Sequence, residues 1–327
     1  MKAKIVKILK QNKNKYISGE TISNELNVTR TSIWKYISSL RKDGYVIDSA
    51  SRKGYKLISY PDILDIELLE EKLSTNHIGK NIYYYDTVDS TNIEAKNVAL
   101  DEDNGAVIIA EEQTKGRGRL GRDWISPKYK GIWMSIILKP DIPPEDAPKI
   151  TQIAAAAVSK AFDNIDIKNK IKWPNDIVIN KKKVCGILTE MSGEIGRLKY
   201  IIIGIGINAN LDEEDLTYNI KEIATSIKIE NGSIVNRENL IVDILEKFEY
   251  LYEDFLETKS LNKTLDICCE KSALLGKVVY LVKGEERFKV RALDLDSEGR
   301  LIVEDKLGNK QTIISGEISV RGLENYV

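Results

Sequence analysis

Residues 106–138 read AVIIAEEQTKGRGRLGRDWISPKYKGIWMSIIL, and this stretch decides the class of fold. Its two ends, 106–110 and 131–138, are apolar runs that predict buried strands. The loop between them carries three glycines and three arginines within Gly116–Arg122. Such a loop suits the binding of phosphates, because each arginine offers paired N–H donors. A solvated basic loop is the alternative.

The same loop matches G-x-G-x-x-G at Gly116–Gly121. A dinucleotide-binding turn needs a helix directly after the glycines. Here the chain runs from Arg122 to Pro127 and then into the second strand, so the pattern does not predict a Rossmann fold.

Upstream of this stretch, a strand over 82–86 leads through a polar turn into a helix over 92–100. The turn contains Ser90, Thr91 and Asn92. Capping a helix requires one such residue, whereas three adjacent hydroxyl and amide groups favour a polar ligand.

Downstream, an alanine-rich helix over 153–162 precedes a strand and the segment KWPND at 172–176. Asn-Asp after proline is typical of a tight turn, which is often only structural. Beside a phosphate site, the carboxylate of Asp176 is also suited to hold Mg²⁺.

A hairpin over 178–190 would aim one lysine inward, and Lys183 is the candidate. The strand over 200–208 contains Gly204 and Gly206, which permit the close approach of a ligand to the backbone. Together with the preceding segments, these elements predict an α/β domain with a mixed sheet.

The first 60 residues form a basic module. They hold ten lysines, three arginines and four acidic residues, a net charge of +9, whereas the whole chain carries −1. Their pattern predicts helices over 3–11, after Ser18 and after Thr29, and then strands over 45–48 and 54–58. This is a winged helix-turn-helix, for which DNA is the expected polyanion and protein binding the alternative.

The third helix of this module is the predicted recognition helix. Its inner stripe is Ile33, Ile37 and Leu40. The candidates for DNA contact lie mostly off that stripe or at the basic tip of the wing: Thr29, Arg30, Thr31, Ser32, Lys35, Tyr36, Arg52 and Lys53. Trp34 suits either the core or a contact.

The last part of the chain changes period. A long amphipathic helix over 239–256 is followed from Gly276 by five short strands, over 277–282, 288–295, 301–305, 311–315 and 318–321. Glycine-containing turns separate them, which predicts a small SH3-like barrel. The expected domains are therefore 1–60, 61–271 and 272–327.

Composition excludes several functional classes. No apolar run of about 20 residues is present, so no membrane span is expected. The single histidine, His77, argues against Ser-His-Asp catalysis and His-rich metal sites. The three cysteines show no metal-ligand spacing, and the start of the chain lacks the apolar core of a signal peptide. A cytoplasmic protein is the expectation.

Several strings, in this order, resemble the biotin–protein ligases, and among them the bifunctional type that also represses the biotin operon. The strings are Ser90-Thr91-Asn92, Gln113 with Gly116–Arg119 and Gly121-Arg122, Lys172–Asp176, Lys183 with Gly186–Leu188, Gly204–Asn208, Ala224–Ile227 and Gly316–Ser319. The resemblance covers essentially the whole chain.

The resemblance implies an activity and its ligands. Biotin and Mg-ATP would form biotinyl-5′-AMP with release of pyrophosphate, and biotin would then pass to one lysine of a biotin carboxyl carrier protein. It implies that the contacts to biotin are made by Ser90, Thr91, Asn92, Gln113, Gly116, Arg117, Gly118, Arg119, Lys183, Gly186, Gly204 and Gly206. Those to ATP or the adenylate would be made by Arg119, Arg122, Trp124, Trp133, Asn175, Asp176, Lys183 and Asn208.

Within those sets the resemblance implies particular roles. Lys183, Arg117 and Arg119 would be the catalytic residues, because attack of a carboxylate on ATP needs electrostatic stabilisation. Asp176 would serve Mg²⁺, and Trp133 would be an adenine platform unless it is buried in the core. The loop 114–130 is expected to become ordered only with ligand.

The resemblance also implies partners: the acceptor protein, operator DNA upstream of biotin genes, and a second copy of the chain when the adenylate is bound. Three rival interpretations remain: a ligase whose first domain no longer binds DNA, a sensor without catalysis, and a lipoate ligase.

Overall fold

The structure, a computed structural model, describes residues 1–12, 14–194, 196–314, 319–323 and 326–327. The chain separates into two compact units, Met1–Ile63 and Leu64–Val327. Among the residues described, no helix is long and apolar enough to cross a membrane. The family-like segment Gly316-Glu317-Ile318 and the start of the strand predicted over 318–321 lie outside the described residues.

The first unit is a winged helix-turn-helix. Its elements are α1 (Lys2–Gln11), α2 (Gly19–Leu26), α3 (Arg30–Lys42), β1 (Val46–Ala50) and β2 (Gly54–Ser59). Ser18 and Thr29 cap α2 and α3 through hydrogen bonds from the backbone N–H three residues on. The stripe Ile33, Ile37 and Leu40 is buried, as predicted.

The second unit holds the remaining elements. Its helices are α4 (Ile66–Lys72), α5 (Thr91–Val98), α6 (Ala147–Asn164), α7 (Tyr218–Lys221), α8 (Ile227–Asn231), α9 (Arg237–Thr258) and α10 (Asn262–Glu270). Its strands are β3 (Ile82–Tyr85), β4 (Val107–Ala110), β5 (Ile132–Leu138), β6 (Lys170–Lys172), β7 (Asp176–Ile179), β8 (Lys182–Glu194), β9 (Arg197–Ile207), β10 (Val278–Lys283), β11 (Glu286–Leu295), β12 (Leu301–Glu304), β13 (Lys310–Ile313) and β14 (Ser319–Arg321).

A seven-stranded sheet, in the order β3-β4-β5-β9-β8-β7-β6, forms the centre of this unit. Strand β3 pairs with β4 in parallel, and the other described pairs are antiparallel, so the sheet is mixed as predicted. Along β5, Ile136 packs with α6 and α9 on one face, whereas Ile137 packs with α5 on the other. Because helices cover both faces, β5 is buried throughout, and Ser135 is its one polar residue.

The loop 111–131 does not continue into a helix. Only a single 3-10 turn, Arg119–Gly121, interrupts it, and Leu120 there has a φ of +58°. The rejection of a Rossmann turn is therefore confirmed, because no helix N-terminus follows the glycines.

The last five strands form a second, antiparallel sheet in the order β13-β12-β11-β10-β14. The described residues thus show a β-rich C-terminal region, and their pairings do not close it into a barrel. Trp173 Nε1 and Gln152 Nε2 both donate to the carbonyl of Gly299, at 2.9 and 2.8 Å, which attaches this sheet to the central one.

Candidate functional site

Two adjoining cavities lie against the central sheet, and the inner one is lined by its middle strands β5, β9 and β8. The inner pocket measures about 40 Å³ and the outer cavity about 290 Å³. The residues that line both are Gly118, Arg119, Trp124, Asn175 and Lys183. The two cavities therefore meet at a junction that carries two cationic side chains.

The inner pocket gathers nearly all residues that were expected to contact biotin. Its predicted lining residues are Ser90, Thr91, Asn92, Gln113, Arg117, Gly118, Arg119, Lys183, Gly186, Gly204 and Gly206. Gly116 does not line it but supports the loop, since a Cβ there would lie 2.4 Å from the carbonyl oxygen of Trp124.

The polar turn before α5 forms one connected network. Gln113 Oε1 accepts from the backbone N–H of Thr91 at 2.9 Å and from its hydroxyl at 3.1 Å. Ser135 donates to Thr91 Oγ1 at 2.8 Å and to Asn92 Oδ1 at 2.6 Å, which makes Ser135 a site residue that sequence reasoning missed. Asn92 Nδ2 in turn donates to Glu190 at 2.8 Å.

Ser90 differs from its two neighbours. It is the N-cap residue of α5, yet its side chain makes no capping hydrogen bond. Its hydroxyl takes part in no other hydrogen bond of the described residues, although Ser90 is only 3% exposed. A buried hydroxyl without a protein partner is suited to a ligand. Capping therefore does not account for the hydroxyl of Ser90, and its contact with biotin stays a prediction.

The glycines of β8 and β9 make room for the pocket. A Cβ at Gly204 would lie 2.2 Å from Asn92 Oδ1, and one at Gly206 would lie 2.7 Å from Trp124 Nε1. A Cβ at Gly186 would meet Lys183 Cε at 2.9 Å. Each glycine therefore permits an approach that a side chain would block.

The glycine–arginine loop folds over both cavities. The backbone N–H of Gly118 donates to the carbonyl of Arg122 at 2.7 Å, and Arg119 Nη1 donates to Asn175 Oδ1 at 2.8 Å. Burial lowers the pKa of Arg119 despite the charge of Asp176 nearby. Trp124 Nε1 is buried with no described hydrogen-bond partner, so the junction holds an unused donor.

The outer cavity is strongly cationic. Its charged lining residues are Arg119, Arg122, Asp123, Lys172, Asp176, Lys183 and Arg321, five cations against two carboxylates. Such an excess in a concave site favours a polyanion. Asn208 also lines the cavity; its Nδ2 donates to Thr225 at 2.9 Å, while its Oδ1 has no described partner.

Asp176 is the centre of the polar network in the outer cavity. Its Oδ1 lies 2.6 Å from Lys183 Nζ, and its Oδ2 accepts a hydrogen bond from the hydroxyl of Tyr326. Burial alone would raise the pKa of Asp176, but Lys183, Lys172 and Tyr326 together hold it below its ordinary value. Asp176 is therefore a carboxylate whose two oxygens are both engaged.

Lys172 faces Asp176 across β6 and β7, in direct register. Its Nζ donates to the backbone carbonyl of Tyr326 at 2.8 Å and lies 3.3 Å from the centroid of that ring. Burial lowers the pKa of Lys172 to about 7, although Asp176 opposes the change. Lys172 belongs to a quoted motif, yet its role was not recognised.

The expected role of Trp133 differs from what the structure shows. It was expected as an adenine platform, but it is 1% exposed and lines neither cavity. It packs with Leu211 and Leu216 on the face of the sheet that it shares with its cross-strand partner Gly206, and Trp124 packs against the same cluster. Trp133 is therefore buried in the core, which was the alternative interpretation.

Sequence reasoning also missed the apolar wall of the outer cavity. This wall consists of Leu216, Ile220, Ile223 and Ala224, of which only Ala224 belongs to a family-like segment. The helical spacing of 216, 220 and 223 is the signal that was available. Arg321 and Tyr326, which lie 145 and 150 positions after Asp176 in sequence, gave no such signal.

No group of three or more metal-ligating side chains occurs among the described residues. Of the two carboxylates that line the cationic cavity, Asp176 is buried and Asp123 is exposed. Mg²⁺ is commonly held by one or two carboxylates together with substrate phosphates, so this donor set is compatible with Mg²⁺ only when phosphates supply the other ligands.

The predicted DNA-contacting residues of the first unit lie on its surface. Arg30, Thr31, Lys35, Arg52 and Lys53 are exposed, and Ser32 and Tyr36 are half-buried. Thr29 is engaged as the cap of α3, its Oγ1 accepting from the backbone N–H of Ser32 at 3.2 Å. Trp34 is 60% exposed, which places it with the contact candidates and not in the core.

Comparisons with known proteins agree with this division of the chain. Residues 2–56 match an HTH domain, residues 84–208 the biotin/lipoate A/B protein ligase family, and residues 274–321 the biotin protein ligase C-terminal domain. Among solved structures, the biotin protein ligase from Aquifex aeolicus in complex with biotin and ATP is similar, with a TM-score of 0.66 and 31% identity. The match covers 74% of this chain and 99% of that one.

Two relatives match over nearly their full length. The bifunctional ligase/repressor BirA of Bacillus subtilis (strain 168) is 39% identical over 319 residues, 97% of each chain. The bifunctional ligase/repressor BirA of Escherichia coli (strain K12) is 28% identical over 310 residues, 94% of each. The chain therefore belongs to the biotin–protein ligase family, in its bifunctional ligase/repressor group.

Proposed function

We propose that this protein activates biotin with ATP to form biotinyl-5′-AMP and transfers biotin to a lysine of a biotin carboxyl carrier protein. One observation carries the proposal: the inner pocket and the outer cavity share a junction lined by Lys183 and Arg119. Biotin in the inner pocket and ATP in the outer cavity would meet there.

In the first step, a biotin carboxylate oxygen attacks the α-phosphorus of ATP. The bond from that phosphorus to the bridging oxygen breaks, and pyrophosphate leaves. Negative charge accumulates at the junction, which carries Lys183 and Arg119, and Arg117 lines the adjoining inner pocket. Preorganised charges of this kind need no proton transfer, which agrees with a site that holds no histidine.

In the second step, the amine of the acceptor lysine attacks the acyl carbon of the adenylate. The acyl–oxygen bond breaks, AMP leaves, and the attacking nitrogen loses a proton. The contribution of this chain is positioning, since the polar turn at 90–92 and Gln113 would fix the ring of biotin.

Mg²⁺ is part of this proposal. Bound to the phosphates of ATP, it would offset their charge, and Asp176 would hold it through an oxygen that pairs with Lys183 or Tyr326 in this structure. Asn175 and Asn208 would contact the nucleotide, and Leu216, Ile220 and Ile223 would pack against its base. We also propose that loop 114–130 becomes ordered when biotin and ATP bind.

The test of the proposal is ATP–pyrophosphate exchange, measured with biotin, with lipoate and with neither. We expect exchange that requires biotin and that falls by about 10²-fold or more in Lys183→Ala, the size of effect seen when a charge-stabilising group is removed. Lys182→Ala is the matched control. Biotin binding without any exchange would leave a sensor, and exchange with lipoate alone would assign the lipoate ligases.

We further propose that the protein represses biotin genes, with biotinyl-5′-AMP as corepressor. The supporting observations are the +9 charge of the first 60 residues and the exposed basic residues of α3 and the wing. A gel-shift with the upstream region of the chain's own gene tests this. Lys35→Ala should weaken binding, whereas Lys7→Ala, the same charge change on α1, should weaken it less.

Repression by a palindromic operator would involve two copies of the protein. We propose that the adenylate strengthens dimerisation, in which case the dimer must bind the adenylate more tightly by the same factor. Sedimentation velocity with and without biotin and ATP tests this linkage. An unchanged sedimentation coefficient would contradict it.

Three smaller proposals concern the C-terminal domain, the closure of its strands and the location of the protein. We propose that 272–327 is a separate domain whose five strands close into an SH3-like barrel. We also propose a cytoplasmic location, in keeping with three free cysteines, of which Cys185 and Cys268 are buried. Backbone NMR of the β13–β14 segment would test closure of the barrel.

A further inference from the structure

Tyr326 contacts three charged residues of the outer cavity. Its hydroxyl donates to Asp176 Oδ2, and its backbone carbonyl accepts from Lys172 Nζ at 2.8 Å. Its ring lies under Lys172 Nζ, 3.3 Å from the centroid, and the guanidinium of Arg321 lies 5.2 Å from the same centroid. The side chain is 7% exposed, so these contacts are formed within a nearly closed environment.

Asp176 has two lysines within reach. Lys183 Nζ lies 2.6 Å from its Oδ1, and Lys172 is its direct partner across β6 and β7. A buried carboxylate between two ammonium groups can pair with either. The backbone carbonyl and ring of Tyr326 hold Lys172, while the hydroxyl of Tyr326 occupies the oxygen of Asp176 that Lys183 does not use.

This arrangement fixes which lysine remains at the junction. With Oδ2 taken by Tyr326, the carboxylate keeps one orientation, and its Oδ1 holds Lys183 where the inner pocket meets the outer cavity. Without the hydroxyl, Oδ2 would be buried with no donor, which is costly enough to favour rotation of Asp176 toward Lys172. Lys183 would then lose its fixed position.

We propose that Tyr326 is a positioning residue for adenylate formation, acting through Asp176 on Lys183. The inference rests on the proposed function for the reaction that it serves, and on the contacts above for the residues that it links. It makes Tyr326, together with Arg321, part of the proposed ATP site.

The first test is Tyr326→Phe, which removes the hydroxyl but keeps the ring over Lys172 and the backbone carbonyl. We expect the kcat of biotin-dependent exchange to fall about tenfold, the effect of one hydrogen bond to a charged group, with the KM for biotin changed less than twofold. Tyr280→Phe, a half-buried tyrosine of β10, is the matched control and should leave both constants unchanged. A normal kcat in Tyr326→Phe would overturn the proposal.

A double-mutant cycle separates positioning from general stability. If Tyr326 acts through Asp176, Tyr326→Phe should reduce kcat by less than twofold in an Asp176→Asn background. Multiplication of the two effects would show independent roles and would overturn the proposed link. The cycle also covers a poorly folded Tyr326→Phe variant, because thermal unfolding of all four proteins reports any loss of stability directly.

A third measurement does not depend on activity. The rate at which an amine-acylating reagent modifies Lys183 is measured by peptide mass spectrometry, with Lys182 in the same molecule as reference. We expect Lys183 to react at least threefold faster in Tyr326→Phe than in the unaltered protein, and an equal rate would overturn the proposal. If the unaltered protein showed no exchange, the proposed function would fail, while this labelling would still report on the link between Tyr326 and Lys183.

Discussion

The inner pocket and the outer cavity differ in how far their polar and charged groups are already paired. In the inner pocket, Thr91, Asn92, Gln113 and Ser135 hydrogen-bond to one another, so most polar groups are satisfied before a ligand arrives. In the outer cavity, cations exceed carboxylates, and Asn208 Oδ1 has no described partner. The first has polar groups that are already hydrogen-bonded but a volume of about 40 Å³, which must increase to admit a ligand of the size of biotin. The second has an excess of positive charge that a polyanion would neutralise.

This difference suits the two proposed ligands. A preorganised hydrogen-bonding network selects by shape, because a wrong ligand leaves buried polar groups unpaired. A cationic cavity with an apolar wall attracts phosphates and tolerates their movement as pyrophosphate leaves. The comparison predicts that variants of the inner pocket change biotin binding alone, whereas variants of the outer cavity change nucleotide binding alone.

The largest expected effect is that of Gly204→Ala in the inner pocket. The new Cβ would lie 2.2 Å from Asn92 Oδ1, so the network must shift. Overpacking of this kind costs up to about 3 kcal/mol, and we expect biotin to bind about 100-fold more weakly with ATP binding unchanged. Calorimetric titration of each ligand measures this, with Lys199→Ala on the same strand as control. Equal losses of affinity for biotin and for ATP would show that the two cavities do not bind separate ligands.

Arg321→Ala tests the outer cavity. Loss of one cation that faces phosphates should raise the KM for ATP about tenfold, in the range of a hydrogen bond to a charged group, and leave the Kd for biotin unchanged. Arg287→Ala, an exposed arginine of β11, is the control. A change in biotin affinity larger than that for ATP would contradict the assignment of the two cavities.

The pH dependence of nucleotide binding should follow Lys172. Its pKa is about 7 in the free protein because of burial. Since bound phosphates favour the charged ammonium, its pKa must rise on binding, and above pH 7 binding takes up a proton. Affinity should therefore fall several-fold between pH 6.5 and about pH 8.5, at up to tenfold per unit.

Titration at pH 7.5 in two buffers of different ionisation enthalpy measures this proton uptake. In Lys172→Met the proton uptake should decrease by the fraction of a proton that Lys172 binds in the unaltered protein. The uptake that remains comes from ATP itself. The same uptake in the variant and the unaltered protein would contradict a neutral Lys172. Asp176 differs from Lys172, because its lowered pKa keeps it charged throughout this pH range.

The smallest expected effect is that of Ser90→Ala. The hydroxyl of Ser90 has no hydrogen bond among the described residues, so its removal should not lower the melting temperature. If it binds biotin, its loss should weaken binding by about 1 kcal/mol, or roughly fivefold. Thr91→Ala should instead lower the melting temperature, because it breaks the bonds from Ser135 and to Gln113. A thermal melt and a biotin titration of each variant decide this.

The inner pocket was largely predictable from the sequence, whereas much of the outer cavity was not. Glycine, serine, threonine and asparagine favour particular local backbone and hydrogen-bonding arrangements. The turn at 90–92 and the glycines of β9 therefore indicate a ligand site from local sequence alone. Lys172, Arg321 and Tyr326 carry no such local signal, since their roles depend on which segments meet. Trp133 was misassigned for the same reason: residue type alone does not say that Leu211, Leu216 and Trp124 pack against it.

The sequence by itself determined the winged helix, the mixed sheet, the glycine–arginine loop and the family, because periodicity, caps and breakers act over a few residues. Only the tertiary structure decided which lysine stands at the junction of the two cavities and which tryptophan borders it. It also brought Tyr326 to Asp176, 150 positions earlier in the chain. Such pairings depend on sheet register and on the packing of one sheet against another, and no local pattern encodes them.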